Sequence, residues 1–195
     1  MDQRSTCQES IMRSDAKENY QHILVTAHAV ISEQGADASM RDISRKAGVG
    51  LATLFRHFPT REALLEALLR SKLEELTRKA DSFETIDSPN EALISWLREA
   101  VIFVRVYSGA VTMMAAALSD PTSALHASCE NLRSAGTRLL QRAQAKGSAE
   151  KYMTGSDLFA LIGALGWLGD QDAFAPRSDY LLELIARGIL SSQPE

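Results

Sequence analysis

Between Ser39 and Arg61 the chain places Arg41, Arg45, Lys46, Arg56 and Arg61 against a single acid, Asp42. The segment is thus locally +4 in a chain whose net charge is −4. Small or hydroxylated residues, Ser39, Ala52 and Thr53, stand among these cations. Guanidinium groups bond phosphate oxygens and base edges, hydroxyls bond phosphate, and small side chains let a helix backbone approach a groove. The chemistry open to this set is recognition of a polyanion rather than the making or breaking of bonds. Residues 80–195 have the opposite balance, nine Lys or Arg against fourteen Asp or Glu. A basic patch on an otherwise acidic chain suits a small DNA-binding module joined to a separate partner domain. It does not suit a protein that coats nucleic acid through bulk charge.

Other chemistries find little support. His22, His28, His57 and His126 show no catalytic spacing, and the pattern contains neither a Gly-rich phosphate loop nor a nucleophile elbow. An enzyme is therefore not expected, nor a metal site or a cofactor. Cys7 and Cys129 lie far apart in sequence and read as free thiols of a reducing compartment. No apolar run approaches the roughly 20 residues of a membrane span. The polar start, MDQRSTCQESIMRSDAKEN, has no signal-like apolar core. The expected location is cytoplasmic, without a membrane partner.

The elements that must position these residues are helical. No strand-like alternation persists, and Gly and Pro punctuate long stretches of 3.6-residue periodicity. The expected fold is all-α with about nine helices. A flexible polar tail, 1–13, precedes an N-terminal three-helix DNA-binding domain, 14–80, and a helical ligand-binding and dimerisation domain, 81–195. The first helix is expected over Ser14–Gln34, with Tyr20, Ile23, Leu24, Ala27, Val30 and Ile31 as its apolar stripe. Ser39 followed by Asp42 resembles a capping box for a second helix that Gly48 stops. The third helix spans Leu51–Phe58 and ends at Pro59; Thr60 caps the fourth, which runs to about Lys79. On the third helix Leu51, Leu54, Phe55 and Phe58 share an inward arc, while Thr53 and Arg56, flanked by Ala52 and His57, face outward. Two short helices hinged at Gly48, with cations on the outside, have the layout of a helix-turn-helix.

Asp81–Asn90 has the composition of a linker. Later helices are expected over Glu91–Tyr107, Ala110–Leu118, from Asp120-Pro121 to Lys146, from Thr154 to Trp167, and over Asp179–Leu190.

The segment GVGLATLFRHFPTREALLEALL resembles the recognition region of the tetracycline-repressor (TetR) family, and MRDISRKAGV before it resembles that family's second helix. The resemblance runs from about Ile23 to Leu69. It implies a transcription regulator that binds double-stranded DNA. Ser39 and Arg41 would approach the backbone and groove edge. Leu51, Ala52, Thr53 and Arg56 would lie along the groove, with Phe55 and His57 flanking it, and Arg61 would clamp a phosphate. Two departures matter: Phe55 replaces the usual Tyr and loses a hydroxyl, and Leu51-Ala52 offers no hydrogen-bonding readout. Base discrimination then leans on Arg56, thymine methyl contacts and DNA shape.

The resemblance further implies a homodimer that reads a palindromic operator and is released by a small-molecule effector. An activator, or an interaction module that has lost DNA binding, fits the same pattern. LFALIGALGWLG is apolar on nearly all faces and YLLELIARGIL on one side. Leu161, Leu165, Gly166, Trp167, Leu181, Leu184 and Ile185 are the expected dimer contacts. Trp96, Phe103, Tyr107, Met113, Met114, His126, Cys129 and Phe159 are candidate pocket residues, each with ordinary core packing as its competing role. The Met-rich stretch VTMMAAAL could line an adaptable apolar cavity.

Overall fold

The structure is a computed structural model that describes residues 3–34, 38–107 and 110–190, with side chains over 17–34, 38–107 and 112–190. Regular structure among the described residues is helical throughout. The α-helices are α1 (Gln3–Gln34), α2 (Met40–Lys46), α3 (Leu51–His57), α4 (Arg61–Phe83), α5 (Pro89–Val106), α6 (Ala110–Ser119), α7 (His126–Ala145), α8 (Gly155–Gly169) and α9 (Ser178–Ile189). The chain divides into two compact units, Met1–Leu68 and Leu69–Glu195. The boundary falls within α4 rather than in the polar segment that follows it.

In the first unit the stripe of α1 is buried as its periodicity predicts: Ile23, Leu24, Ala27, Val30 and Ile31 are all inside. They meet Ile43 and Ala47, then Leu54 and Phe58, then Leu64, Ala67 and Leu68. The Ser39 side chain accepts from Asp42 N at 3.1 Å, closing the first turn of α2. Gly48 has φ +65°, the left-handed conformation that a side chain disfavours. Val49 N and Gly48 N donate back to Ser44 O and Arg45 O at 3.1 and 3.2 Å, which terminates α2 and reverses the chain into α3. His22 Nε2 lies 3.0 Å from Ala47 O. A carbonyl can only accept, so this nitrogen carries the proton, and the bond pins α1 to the end of α2. Thr60 Oγ1 accepts from Ala63 N at 3.0 Å and starts α4.

In the second unit α5 is the central helix, packed against α7, α8 and α9. Trp96 is fully buried, and its Nε1 donates to Leu76 O on α4 at 3.1 Å. Gly166 of α8 lies so near α5 that a Cβ there would sit 2.1 Å from Val104 Cγ1. Arg98 pairs with Glu183 at 2.8 Å, and Arg105 with Asp179 at 2.7 Å, so two ion pairs hold α9 along α5.

Several bounds differ from those expected. Helix α1 begins at Gln3 rather than Ser14, because its polar first turns carry no apolar stripe to mark them. The expected linker is ordered: α4 continues to Phe83, and Ser88 caps α5 with Pro89 in its first turn. Its polar groups have partners on α7. Arg138 bonds Glu84 at 2.6 Å and Asp81 at 2.5 Å, and Arg142 donates to Ile86 O at 3.2 Å. Asp120 does not start α7. Its Oδ1 accepts from Thr122 N at 2.9 Å in a local turn, and α7 begins at His126. Helix α8 begins with a reciprocal capping box between Thr154 and Asp157.

Two outcomes follow for stability. Gly48→Ala should lower it by about 1 kcal/mol in urea titration, the usual penalty for a Cβ in left-handed backbone. The Thr154 hydroxyl and backbone N–H hold the Asp157 carboxyl below its ordinary value. A lowered carboxylate pKa stabilises above the ordinary carboxylate range and is lost as pH falls through the folded-state value. The stability gap between wild type and Asp157→Asn should therefore narrow steadily on acidification below pH ~4.

Candidate nucleic-acid interface and apolar cavity

Within the first unit, burial divides α3 into two sides. Leu54 is completely buried and Phe58, just past the helix, nearly so. Tyr20 of α1 stacks on Phe58 at 4.9 Å between ring centroids, which fixes the rotation of α3 about its axis. Ala52, Phe55 and Arg56 are exposed, while Leu51, Thr53 and His57 are half-buried. Phe55 corrects the helical-wheel expectation: it is 42 % exposed rather than packed on α1 and α2. Its Cβ lies at the edge of the inward arc, and Leu54 and Phe58 fill the space inside.

The +4 segment resolves into paired and unpaired charges. Arg45 is tied to Asp42 at 2.6 Å, and Lys46 to Glu33 of α1 at 2.6 Å. Arg41 and Arg56 are exposed and have no partner among the described residues. These two guanidiniums are the groups most available to a polyanion. Sequence spacing could not reveal the difference for Lys46, whose acid lies on another helix. Ser39 is exposed, but its hydroxyl is spent on Asp42, donating to Oδ2 at 2.5 Å while it caps α2. Arg61 is half-buried, and its Nε donates to Ala38 O at 3.5 Å, which ties the start of α4 to the start of α2. His57 lies edge-on to Tyr20 at 6.2 Å. Its Nε2 is buried without a hydrogen-bond partner, so that atom does not face a phosphate.

The second unit holds a cavity of about 440 Å³ lined by Val104 of α5, Met114, Ala115 and Leu118 of α6, Arg133 of α7, and Ser156, Phe159, Ala160, Ile162, Gly163, Ala164 and Trp167 of α8. Met114 and Phe159 are the two expected pocket residues that line it. Met113 is half-buried and lies off its wall. The others are structural. Trp96 bonds Leu76 O. Phe103 and Tyr107 pack against each other at 5.3 Å, and burial, then the nearby Glu75, raises the Tyr107 phenol. His126 Nδ1 donates to Ala117 O at 2.8 Å, joining α6 to the start of α7. Burial, with Glu130 beside it, pushes the buried Cys129 thiol up to about 11, which leaves it an unreactive core residue. Cys7 lies outside the described side chains.

Of the expected dimer contacts, Trp167 and Leu184 are 55 % and 51 % exposed, and Leu161, Leu181 and Ile185 are half-buried. Leu165 and Gly166 are buried within the subunit, Gly166 against Val104, so neither offers a surface to a second chain. A helix apolar all round gives no sequence signal for which side faces inward. Tyr180, at 55 % exposed, is a further apolar side chain on the outer side of α9 that the sequence pattern did not single out.

Comparison with known proteins places both units. Residues 23–68 match the family model described as bacterial regulatory proteins, tetR family, and residues 88–191 match the C-terminal domain of SbtR-like transcriptional regulators. A helix-turn-helix transcriptional regulator of Staphylococcus aureus is 42 % identical over 67 residues, which is 33 % of this chain and 35 % of that protein. The chain thus spans about a third of the length of the curated relatives it matches. A TetR transcriptional regulator from Streptomyces coelicolor is 30 % identical, covers 89 % of this chain and 99 % of its own, and has a TM-score of 0.68. A second, from Mycobacterium vanbaalenii, is 24 % identical, covers 92 % and 99 %, and has a TM-score of 0.61.

The unpaired cations make a quantitative expectation. Arg41→Ala and Arg56→Ala should each reduce the slope of log affinity for DNA against log salt by about 1, one phosphate contact apiece. Arg45→Ala should change it less, since Asp42 already neutralises that charge. Fluorescence anisotropy over a salt series measures both.

Proposed function

The chain belongs to the TetR family of DNA-binding transcriptional regulators, and from that premise we propose that it is a homodimeric cytoplasmic repressor, released from a palindromic operator by a small-molecule effector. The single observation that carries the dimer is the exposed apolar surface of α8 and α9. Trp167, Tyr180 and Leu184 are each more than half exposed. Large apolar side chains grouped on two neighbouring helices are costly in water, and a second copy of the same helices would cover them as a four-helix interface. A two-fold dimer presents two α3 helices to DNA about one helical turn apart, and its site is then an inverted repeat.

Each α3 brings a short readout. Arg56 supplies a guanidinium for a guanine edge, Ala52 and Phe55 an apolar surface for thymine methyls, and Arg41 a phosphate contact. One half-site therefore holds little information, and specificity comes from pairing two of them. The DNA-facing residues inferred from sequence, Ser39, Arg41, Leu51, Ala52, Thr53, Phe55, Arg56, His57 and Arg61, remain the proposed set. Arg41 and Arg56 carry charge to the DNA, while Ser39 and Arg61 hold the helix starts.

The effector response is supported by the cavity among α5, α6, α7 and α8 and by the continuity of α4. That helix is unbroken from Arg61 to Phe83 and contributes residues to both units. Trp96 and the Lys79–Glu99 pair, at 2.8 Å, tie its second half to α5. A ligand that favours one arrangement of α5–α8 would shift α4 and, through it, the spacing of the two α3 helices. It does so only by as much as it binds the two states unequally.

Leu184→Asp tests the dimer. Light scattering of the variant should give the mass of one chain, against two for wild type, with DNA affinity falling by about tenfold or more as the second half-site is lost. A variant that keeps the dimer mass would show that α9 is not the interface.

A further inference from the structure

Two cavities of the second unit share a wall. The apolar one, about 440 Å³, is walled by Val104, Met114, Leu118, Phe159, Ile162 and Trp167. Beside it lies a polar one of about 420 Å³, lined by Glu130, Arg133, Ser134, Thr137, Thr154, Gly155 and Ser156. Arg133 and Ser156 line both. The guanidinium at this junction is already paired: Arg133 donates from one terminal nitrogen to Glu130 Oε2 at 2.6 Å.

That pairing decides which ligands fit. A carboxylate entering the polar end would gain Arg133 but meet Glu130 beside it. An amine would gain Glu130 but meet Arg133. Either charge also leaves water for a chamber whose walls are mostly hydrocarbon. A neutral hydroxyl or carbonyl meets neither repulsion. It finds a charged donor in Arg133 and hydroxyl partners in Ser134, Thr137 and Ser156.

We infer that the cavity takes an uncharged, largely apolar ring compound bearing a hydroxyl or carbonyl at one end. The ring body sits between Met114, Phe159 and Trp167, and the polar end lies at Arg133 and Ser156. The Arg133–Glu130 pair is a charge filter that selects against acids and amines. As a statement about regulation this rests on the effector reading above; as a statement about binding it does not pass through DNA at all.

The test uses the full chain and three probes of one ring size: naphthol, naphthoate and naphthylmethylammonium, below the pH at which naphthol ionises. Calorimetry gives affinities, and quenching of Trp167, which lines the cavity while Trp96 is in the core, gives the location. Naphthol should bind about tenfold or more tighter than either ion, with quenching that Trp167→Phe abolishes while calorimetric binding remains. Glu130→Gln, which leaves Arg133 uncompensated, should raise naphthoate affinity by about tenfold and leave naphthol within a few-fold. Naphthoate or the amine binding wild type as tightly as naphthol would overturn the inference. So would an unchanged naphthoate affinity in Glu130→Gln, or no naphthol binding to folded protein. If naphthol binds at Trp167 but does not loosen the protein from its DNA site, the cavity assignment stands and the effector reading fails.

Discussion

A helix of seven residues has no stability of its own in water, and every contact with DNA in this account depends on such a helix being held at one rotation. Leu54 and Phe58 hold it. Both are buried, and Tyr20 stacks on Phe58 from α1. That anchoring leaves Ala52, Phe55 and Arg56 outside. Turning α3 by one residue would carry its axis about 100° and bury Arg56, so the core of the first unit sets what the outer surface can read. Gly48 is the other half of the constraint. It reverses the chain in a conformation that permits α3 to follow α2 after three residues, 48–50.

Charge at this surface is arranged by the same packing. Asp42 and Glu33 neutralise Arg45 and Lys46, while Arg41 and Arg56 have no acid beside them among the described residues. The net charge of the segment overstates what is available to phosphate. What matters is which cations the fold leaves unpaired and how far a salt-dependent attraction falls on them.

Much of this was legible in the sequence, because much of it is local. The Ser39–Asp42 cap, the stop at Gly48, the stripe of α1 and the Thr154–Asp157 box each lie within a few residues, and local rules govern them. The family-like run from Gly48 through Phe58 located the reading helix. What failed depends on partners distant in sequence. Phe55 lies at the edge of an arc whose interior is filled by Leu54 and Phe58. Leu165 and Gly166 belong to a helix apolar all round, whose inner side only its packing on α5 decides. Asp81 and Glu84 resembled linker residues until Arg138 supplied their partners. The cavity draws on four helices, and a chain read in order gives no sign that Val104, Arg133 and Ser156 meet there.

Selection of bound sequences from a random pool of double-stranded DNA, with the full chain, tests the central claim most directly. The account predicts enrichment of an inverted repeat whose two halves are centred about one helical turn apart, and loss of that enrichment in Arg56→Ala. Enrichment of a single unsymmetric site, or none beyond non-specific binding, would contradict it.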